Sequence, residues 1–201
     1  MSDIEKDIRR YFEQRQELFP DDFYEKPQPR PAQPASQHTT QRPRTEADGS
    51  WITSGNPDAE IIFLCTRPLK QDLEAGELIS GDSGILFDNI LKAIDLTRKD
   101  VYITPLRPVS KSGVLSDRSR IEILDNLIDG NRPKVLISLG DNAGNEILGR
   151  KEKIDEVHGK IFNYRKVPFV YTYHPEIVRR NERLKRPVWE DFKIIRDIIS
   201  K

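Results

Sequence analysis

The stretch KVLISLGDNAGNEILG, residues 134–149, contains the fold in miniature. VLISL is an almost unbroken apolar run with β-branched residues, the pattern of a strand covered on both faces. Gly140 ends the run, Asp141 and Asn142 are helix-capping residue types, and the residues up to Gly149 read as a short helix. A strand that turns through a glycine directly into a helix is one step of an alternating chain. Similar strand runs occur at IIFLC (61–65), VYITP (101–105) and PFVYTYHP (168–175). Helical patterns occupy SGILFDNILKAIDL (83–96), RSRIEILDNLID (118–129) and PVWEDFKIIRDII (187–199). The alternation predicts an α/β domain, a parallel sheet with helices on both sides, over residues 51–201.

Upstream of Trp51 the pattern is different. Residues 1–24 are expected to carry an amphipathic helix over 2–19. Ser2 and Glu5 have capping-box spacing, and Ile4, Ile8 and Phe12, with Tyr11 beside them, fall on one face. Residues 25–50 read as a flexible linker: they hold Pro27, Pro29, Pro31, Pro34 and Pro43 with polar filler and no apolar periodicity. A tethered amphipathic helix is a common device for binding a protein partner.

Composition narrows the function classes. The chain has 201 residues, with 33 Lys+Arg against 33 Asp+Glu, so no net charge draws it toward nucleic acid or membrane and any polyanion site must come from local clustering. Mean hydropathy is −0.66, and no apolar run approaches the roughly 20 residues of a membrane span. The charged start MSDIEKDIRR has no apolar signal segment, and the expected location is the cytoplasm. Cys65 is the single cysteine, so no internal disulfide forms and it cannot by itself supply a four-thiolate metal or iron–sulfur site. No cofactor is expected.

Ligands of parallel α/β sheets gather at the carboxyl ends of the strands. That places 65–82, 104–117, 140–142 and 174–187 on one rim. The first of these loops, CTRPLKQDLEAGELISGDSG, offers Ser80, Gly81, Ser83 and Gly84 at a helix start, where backbone N–H groups can meet a phosphate. It matches neither the dinucleotide fingerprint nor the phosphate-loop lysine motif. The last loop, HPEIVRRNERLKR, carries Arg179, Arg180, Arg183, Lys185 and Arg186 within eight residues, a phosphate-backbone track if it is not simply a solvated helix face. His174 stands at the strand end just before this run, and Pro175 stiffens the turn that presents it. His158, in VHGK, is the other rim histidine, and two histidines without carboxylates at ligand spacing make a poor metal site.

From about residue 59 to 195 the ordered series IIFLCTRP, GELISGDSGILFDNIL, TRKDVYITPLRP, RPKVLISLGDNAG, VHGKIF, VPFVYTYHPEIVRR and RPVWEDF resembles the uracil-DNA glycosylase superfamily, in particular its thermostable bacterial and archaeal branch, family 4. The resemblance implies a three-layer α/β/α domain with a short, mainly parallel four-stranded sheet that binds single- or double-stranded DNA and flips a base into a pocket. It implies that His174 stabilises charge on the departing base, with Pro175 following as in the family. It puts Thr66 at the position of the water-activating acid, and Arg67, Pro68, Ile79 and Pro105 around the base. Ser80, Gly81, Ser83, Pro175, Arg179, Arg180 and Arg183 fall at the DNA backbone.

The departures from the family are specific. Thr66 is no general base near neutral pH. Ile79 offers no ring where the family stacks a phenylalanine. Pro105 has no edge-reading amide where the family has asparagine. The four cluster cysteines are missing, and Cys65 aligns with a first-motif glycine. Asp72, Glu74 and Asp82 are the nearby acids available to position water. Three functions remain open at this level: a divergent DNA glycosylase, a non-catalytic nucleic-acid-binding or adaptor protein on the same fold, and a nucleotide- or phosphosugar-binding domain.

Overall fold

The computed structural model describes residues 52–200 apart from 108, 111–112 and 115–119. The expected N-terminal helix and the proline-rich linker lie outside the described residues. Six strands form one sheet: β1 Ser54–Gly55, β2 Ile61–Cys65, β3 Tyr102–Pro105, β4 Val135–Leu139, β5 Ile161–Tyr164 and β6 Val167–Thr172. Their order across the sheet is β1-β3-β2-β4-β6-β5. The four inner strands are parallel, with Phe63 opposite Ile103 on one side and Ile137 on the other, and Ile137 opposite Val170. These are the four runs read from the sequence. Antiparallel strands β1 and β5 close the two edges, so the sheet has six strands where four were expected.

Helices follow the strands: α1 Lys70–Ala75, α2 Gly81–Lys92, α3 Arg120–Asn131, α4 Asp141–Leu148, α5 Ile154–Val157, α6 Pro175–Arg180 and α7 Lys185–Ile199. A small hairpin pairs Val109–Ser110 with Gly113–Val114.

Side chains alternate across each strand, so every inner strand feeds two cores. On one face Phe63, Ile103, Ile137 and Val170 meet Phe87 and Leu91 of α2, Val178 of α6, and Phe192 and Ile195 of α7. Phe63 sits edge-on to Phe87 at 5.1 Å and nearly parallel to Phe192 at 6.0 Å. On the other face Ile62, Leu64, Leu136, Phe169 and Tyr171 meet Leu124 and Ile128 of α3 and Ala143 and Ile147 of α4. The result is the three-layer α/β/α arrangement. Gly144 fixes the spacing of the second layer: a Cβ there would lie 2.1 Å from the buried Tyr171 ring, so only glycine lets α4 lie this close to the sheet. No helix among the described residues is long and apolar enough to cross a membrane.

Candidate functional site

The inner strands end in register. Cys65 pairs with Pro105 and Leu139 with Thr172, so their carboxyl ends form one rim. Backbone bonding continues past the strands: Leu106 N donates to Cys65 O at 2.8 Å, Arg107 N to Thr66 O at 2.9 Å, and Gly140 N to Thr172 O at 2.8 Å. Thr66, Arg107 and Gly140 are therefore held as extensions of the sheet. Thr66 is half-buried, Arg67 exposed, and Pro68 and Pro105 buried. Arg107 reaches across to Glu146 of α4 at 3.3 Å.

His174 is the N-cap of α6, and its backbone is extended, as the following proline requires. Its Nδ1 accepts the backbone N–H of Glu176 at 3.2 Å. Burial pushes its pKa below the ordinary 6.5, against the opposing pull of the Asp72 and Glu176 carboxylates.

Asp72, on α1, ties the loop after β2 together. It is 2 % exposed. Its Oδ1 accepts from Ser80 N and Ser80 Oγ, both at 2.9 Å, and its Oδ2 from Leu69 N at 2.9 Å. The Cys65 thiol is pushed up to about 12, first by burial and then by the Asp72 charge, so it stays protonated and inert at neutral pH. The other acids of the loop face outward: Glu74 pairs with Lys70 at 3.7 Å, Glu77 with Arg98 at 2.9 Å, and Asp82 with Arg179 at 3.9 Å.

Ile79 is the strained point of the site. It is 1 % exposed and has φ +54°, a left-handed conformation that a β-branched residue rarely adopts. Long-range side chains hold it there. Arg98 donates from Nη2 to Ile79 O at 2.7 Å and from Nη1 to Leu78 O at 3.0 Å. Ser54 Oγ accepts from Leu78 N at 2.7 Å and donates to Leu78 O at 3.2 Å. Gly84 leaves room for the clamp, since a Cβ there would lie 2.4 Å from Ile79 O. Non-glycine residues held in such conformations cluster at functional sites.

The residues expected from the sequence to meet a DNA backbone fall into two groups. Gly81 is exposed at the start of α2, whereas Ser80 and Ser83 are buried. Their hydroxyls point inward, Ser80 Oγ to Asp72 and Ser83 Oγ to Ser80 O at 2.9 Å. Pro175 is buried, and Arg179, Arg180 and Arg183 are exposed. The cationic run is partly matched from within. Glu176 accepts from Arg179 and Arg180, and Lys185 pairs with Glu182 at 3.1 Å. Hydrogen bonds from Arg179, and then from Arg180, hold the Glu176 carboxyl below the ordinary carboxylate range despite its burial.

His158 belongs to a different cluster. Its Nδ1 lies 2.9 Å from Oδ1 of buried Asp191, which also accepts from Thr172 Oγ1 at 2.7 Å, and its ring packs 5.2 Å from Tyr173. Sequence reasoning missed Glu176, whose three- and four-residue spacing to Arg179 and Arg180 was a legible signal. It also missed Ser54 and Arg98, which act on residues about twenty positions away and leave no local pattern.

Comparison with known proteins agrees with this geometry. The family model described as the uracil DNA glycosylase superfamily matches residues 52–193. The type-4 uracil-DNA glycosylase of Archaeoglobus fulgidus is 29% identical over 160 residues, covering 73% of this chain and 80% of that protein. The type-4 enzyme of Sulfurisphaera tokodaii is 30% identical over 158 residues, 72% of each chain. An uncharacterized protein of Borreliella burgdorferi is 33% identical over 80 residues, 40% of this chain and 39% of its own length. A single family model spanning both layers and all four inner strands settles the assignment: the chain belongs to the uracil DNA glycosylase superfamily.

Proposed function

We propose that the domain binds DNA, takes one base into a pocket at the carboxyl end of its sheet, and cleaves the bond between that base and its sugar. The observation that carries this reading is the hydrogen bond on His174. With Nδ1 accepting Glu176 N–H, a neutral ring must carry its proton on Nε2, and burial favours the neutral form. A neutral Nε2–H is a preorganised donor for the oxygen of a departing base. As the C–N bond breaks, its electron pair leaves with the base; water oxygen bonds the sugar carbon and sheds a proton, which ends on the base anion. His174 needs only to stabilise the charge that develops. This chemistry calls for no cofactor, and the cytoplasm is where such a substrate would be met.

Arg179, Arg180 and Arg183, with the exposed backbone at Gly81, provide the phosphate contacts in this reading. Exposed Ile177, on the same short helix, is the residue type that proteins wedge between base steps. Arg67, Pro68 and Pro105 flank the base site in this reading, whereas Ile79, expected there from the sequence, is packed in the core with Leu78 and Phe87 and does not belong to the pocket wall. Pro105 offers no side-chain donor or acceptor, so uracil, the base in the relatives' names, is the first substrate to test rather than the assigned one.

One observation favours a second reading, a base-sensing DNA-binding protein without hydrolysis. Asp72, the acid whose charge reaches His174, is buried and accepts three hydrogen bonds, and Thr66 stands where the family's acid would be. Oligonucleotides carrying uracil, hypoxanthine or xanthine, single- and double-stranded, separate the two. Alkali-labile abasic sites that disappear with His174→Ala support the enzyme. DNA affinity with no abasic sites on any base supports the second reading. We infer further that residues 1–24 bind a protein partner from the 25–50 tether, while residues 51–201 form the DNA-binding domain. Loss of a bound partner, with DNA affinity retained, on replacing Ile4, Ile8 and Phe12 by serine is the expected outcome.

A further inference from the structure

The loop after β6 concentrates charge around one carboxylate. Glu176 is 8 % exposed, yet it accepts three charged donors. Arg179 grips it from Nε at 3.1 Å and Nη2 at 3.0 Å, and Arg180 Nε reaches Oε1 at 2.8 Å. The guanidinium groups lie outside: the Arg179 and Arg180 side chains are 40% and 69% exposed. A guanidinium fork joined by a second guanidinium is the donor set that takes a phosphate oxyanion. Here it holds a carboxylate of the same chain, with both arginine side chains partly exposed.

Building on the DNA-binding reading above, we propose that Glu176 is an internal phosphate mimic, which occupies Arg179 and Arg180 and thereby sets the protein's sequence-independent affinity for DNA. A backbone phosphate arriving at this loop must displace or share the carboxylate, and each arginine that stays with Glu176 releases no DNA counterion. The main chain of Glu176 is fixed, because its N–H holds His174 Nδ1. The side chain is therefore the part that yields. Asp82, at 3.9 Å from Arg179 and 65% exposed, is a weaker competitor for the same cation. A purely structural ion pair would behave differently: neutralising Glu176 would cost stability and leave DNA affinity untouched.

The test uses the full chain and a short fluorescein-labelled duplex, with anisotropy followed across a salt series. Glu176→Gln keeps the side chain's shape and removes its charge, and Glu176→Ser serves if the glutamine variant does not fold. The expected result is tighter binding at low salt and a steeper salt slope. Each gained phosphate contact makes affinity fall about 3-fold more over a fourfold rise in salt. The gain should vanish when Arg179 and Arg180 are also changed to glutamine. If the wild type binds with a salt slope and folded Glu176→Gln matches it in affinity and slope, the inference is overturned and the DNA reading stands. If neither protein binds DNA at low salt, the DNA reading fails and the inference falls with it.

Discussion

Replacing Arg98 by alanine should unlock the strained loop that carries Ile79. The guanidinium spans two backbone carbonyls, Leu78 O at 3.0 Å and Ile79 O at 2.7 Å, while also pairing with Glu77 at 2.9 Å and Asp88 at 2.6 Å. The two carbonyl bonds are charge-assisted and worth about 1.5–3 kcal/mol each. The Glu77 and Asp88 side chains are 52% and 53% exposed, so their ion pairs add at most about 1 kcal/mol. Against this, Ile79 released from φ +54° recovers about 1–3 kcal/mol of strain. The net loss is about 3 kcal/mol, which lowers the melting temperature of a domain this size by roughly 6–12 °C. Urea unfolding followed by circular dichroism reads it directly. Arg98→Lys keeps the charge but cannot bridge both carbonyls, so it should fall between the two. Glu77→Gln and Asp88→Asn should each cost under about 0.5 kcal/mol. An Arg98→Ala loss below about 1 kcal/mol, or an Arg98→Lys protein as stable as wild type, would refute the clamp.

Two further outcomes follow from the charges around His174. Asp72→Asn removes the carboxylate that raises the His174 pKa, so the His174 midpoint in an NMR titration should move further down. It should also cost about 1–3 kcal/mol, because an amide cannot accept from all three donors on Leu69 and Ser80. An upward shift of the midpoint would contradict the arrangement. Because burial lowers the folded-state pKa of His174, the unfolded chain takes up this proton at higher pH than the folded one. The contribution of His174 to stability is therefore complete above the ordinary 6.5 and declines as pH falls from there toward the folded value. Urea midpoints should drop on acidification through this window in the wild type and less in His174→Gln. An equal drop in both proteins would count against it.

The inner sheet was legible because strands covered on both faces must be apolar throughout, as IIFLC and VLISL are. The edges were not. β1 is only two residues long, and β5 alternates between exposed and half-buried positions because it packs on one face. The turn joining β5 to β6 places Arg165 and Lys166 at φ +46° and +71° without the glycine or asparagine that usually marks such a hairpin. The place of His174, just past a strand end and before a proline that starts a helix, was legible. Its electrostatic setting was not. The charge of Asp72 acts on His174 from α1, and the Arg98 and Ser54 contacts to Leu78 and Ile79 exist only once the chain has folded. The cationic run read as five independent charges, whereas Glu176, just upstream, takes up two of them.

The central claim is that His174 presents a neutral Nε2–H to the base site. Long-range proton–nitrogen NMR of the imidazole near neutral pH tests it most directly, because the two ring nitrogens of each tautomer resonate differently. The account predicts a neutral ring with the proton on Nε2, a titration midpoint below 6.5, and a perturbed Nε2 signal when base-containing DNA is added. An imidazolium at neutral pH, or a neutral ring protonated on Nδ1, would contradict it.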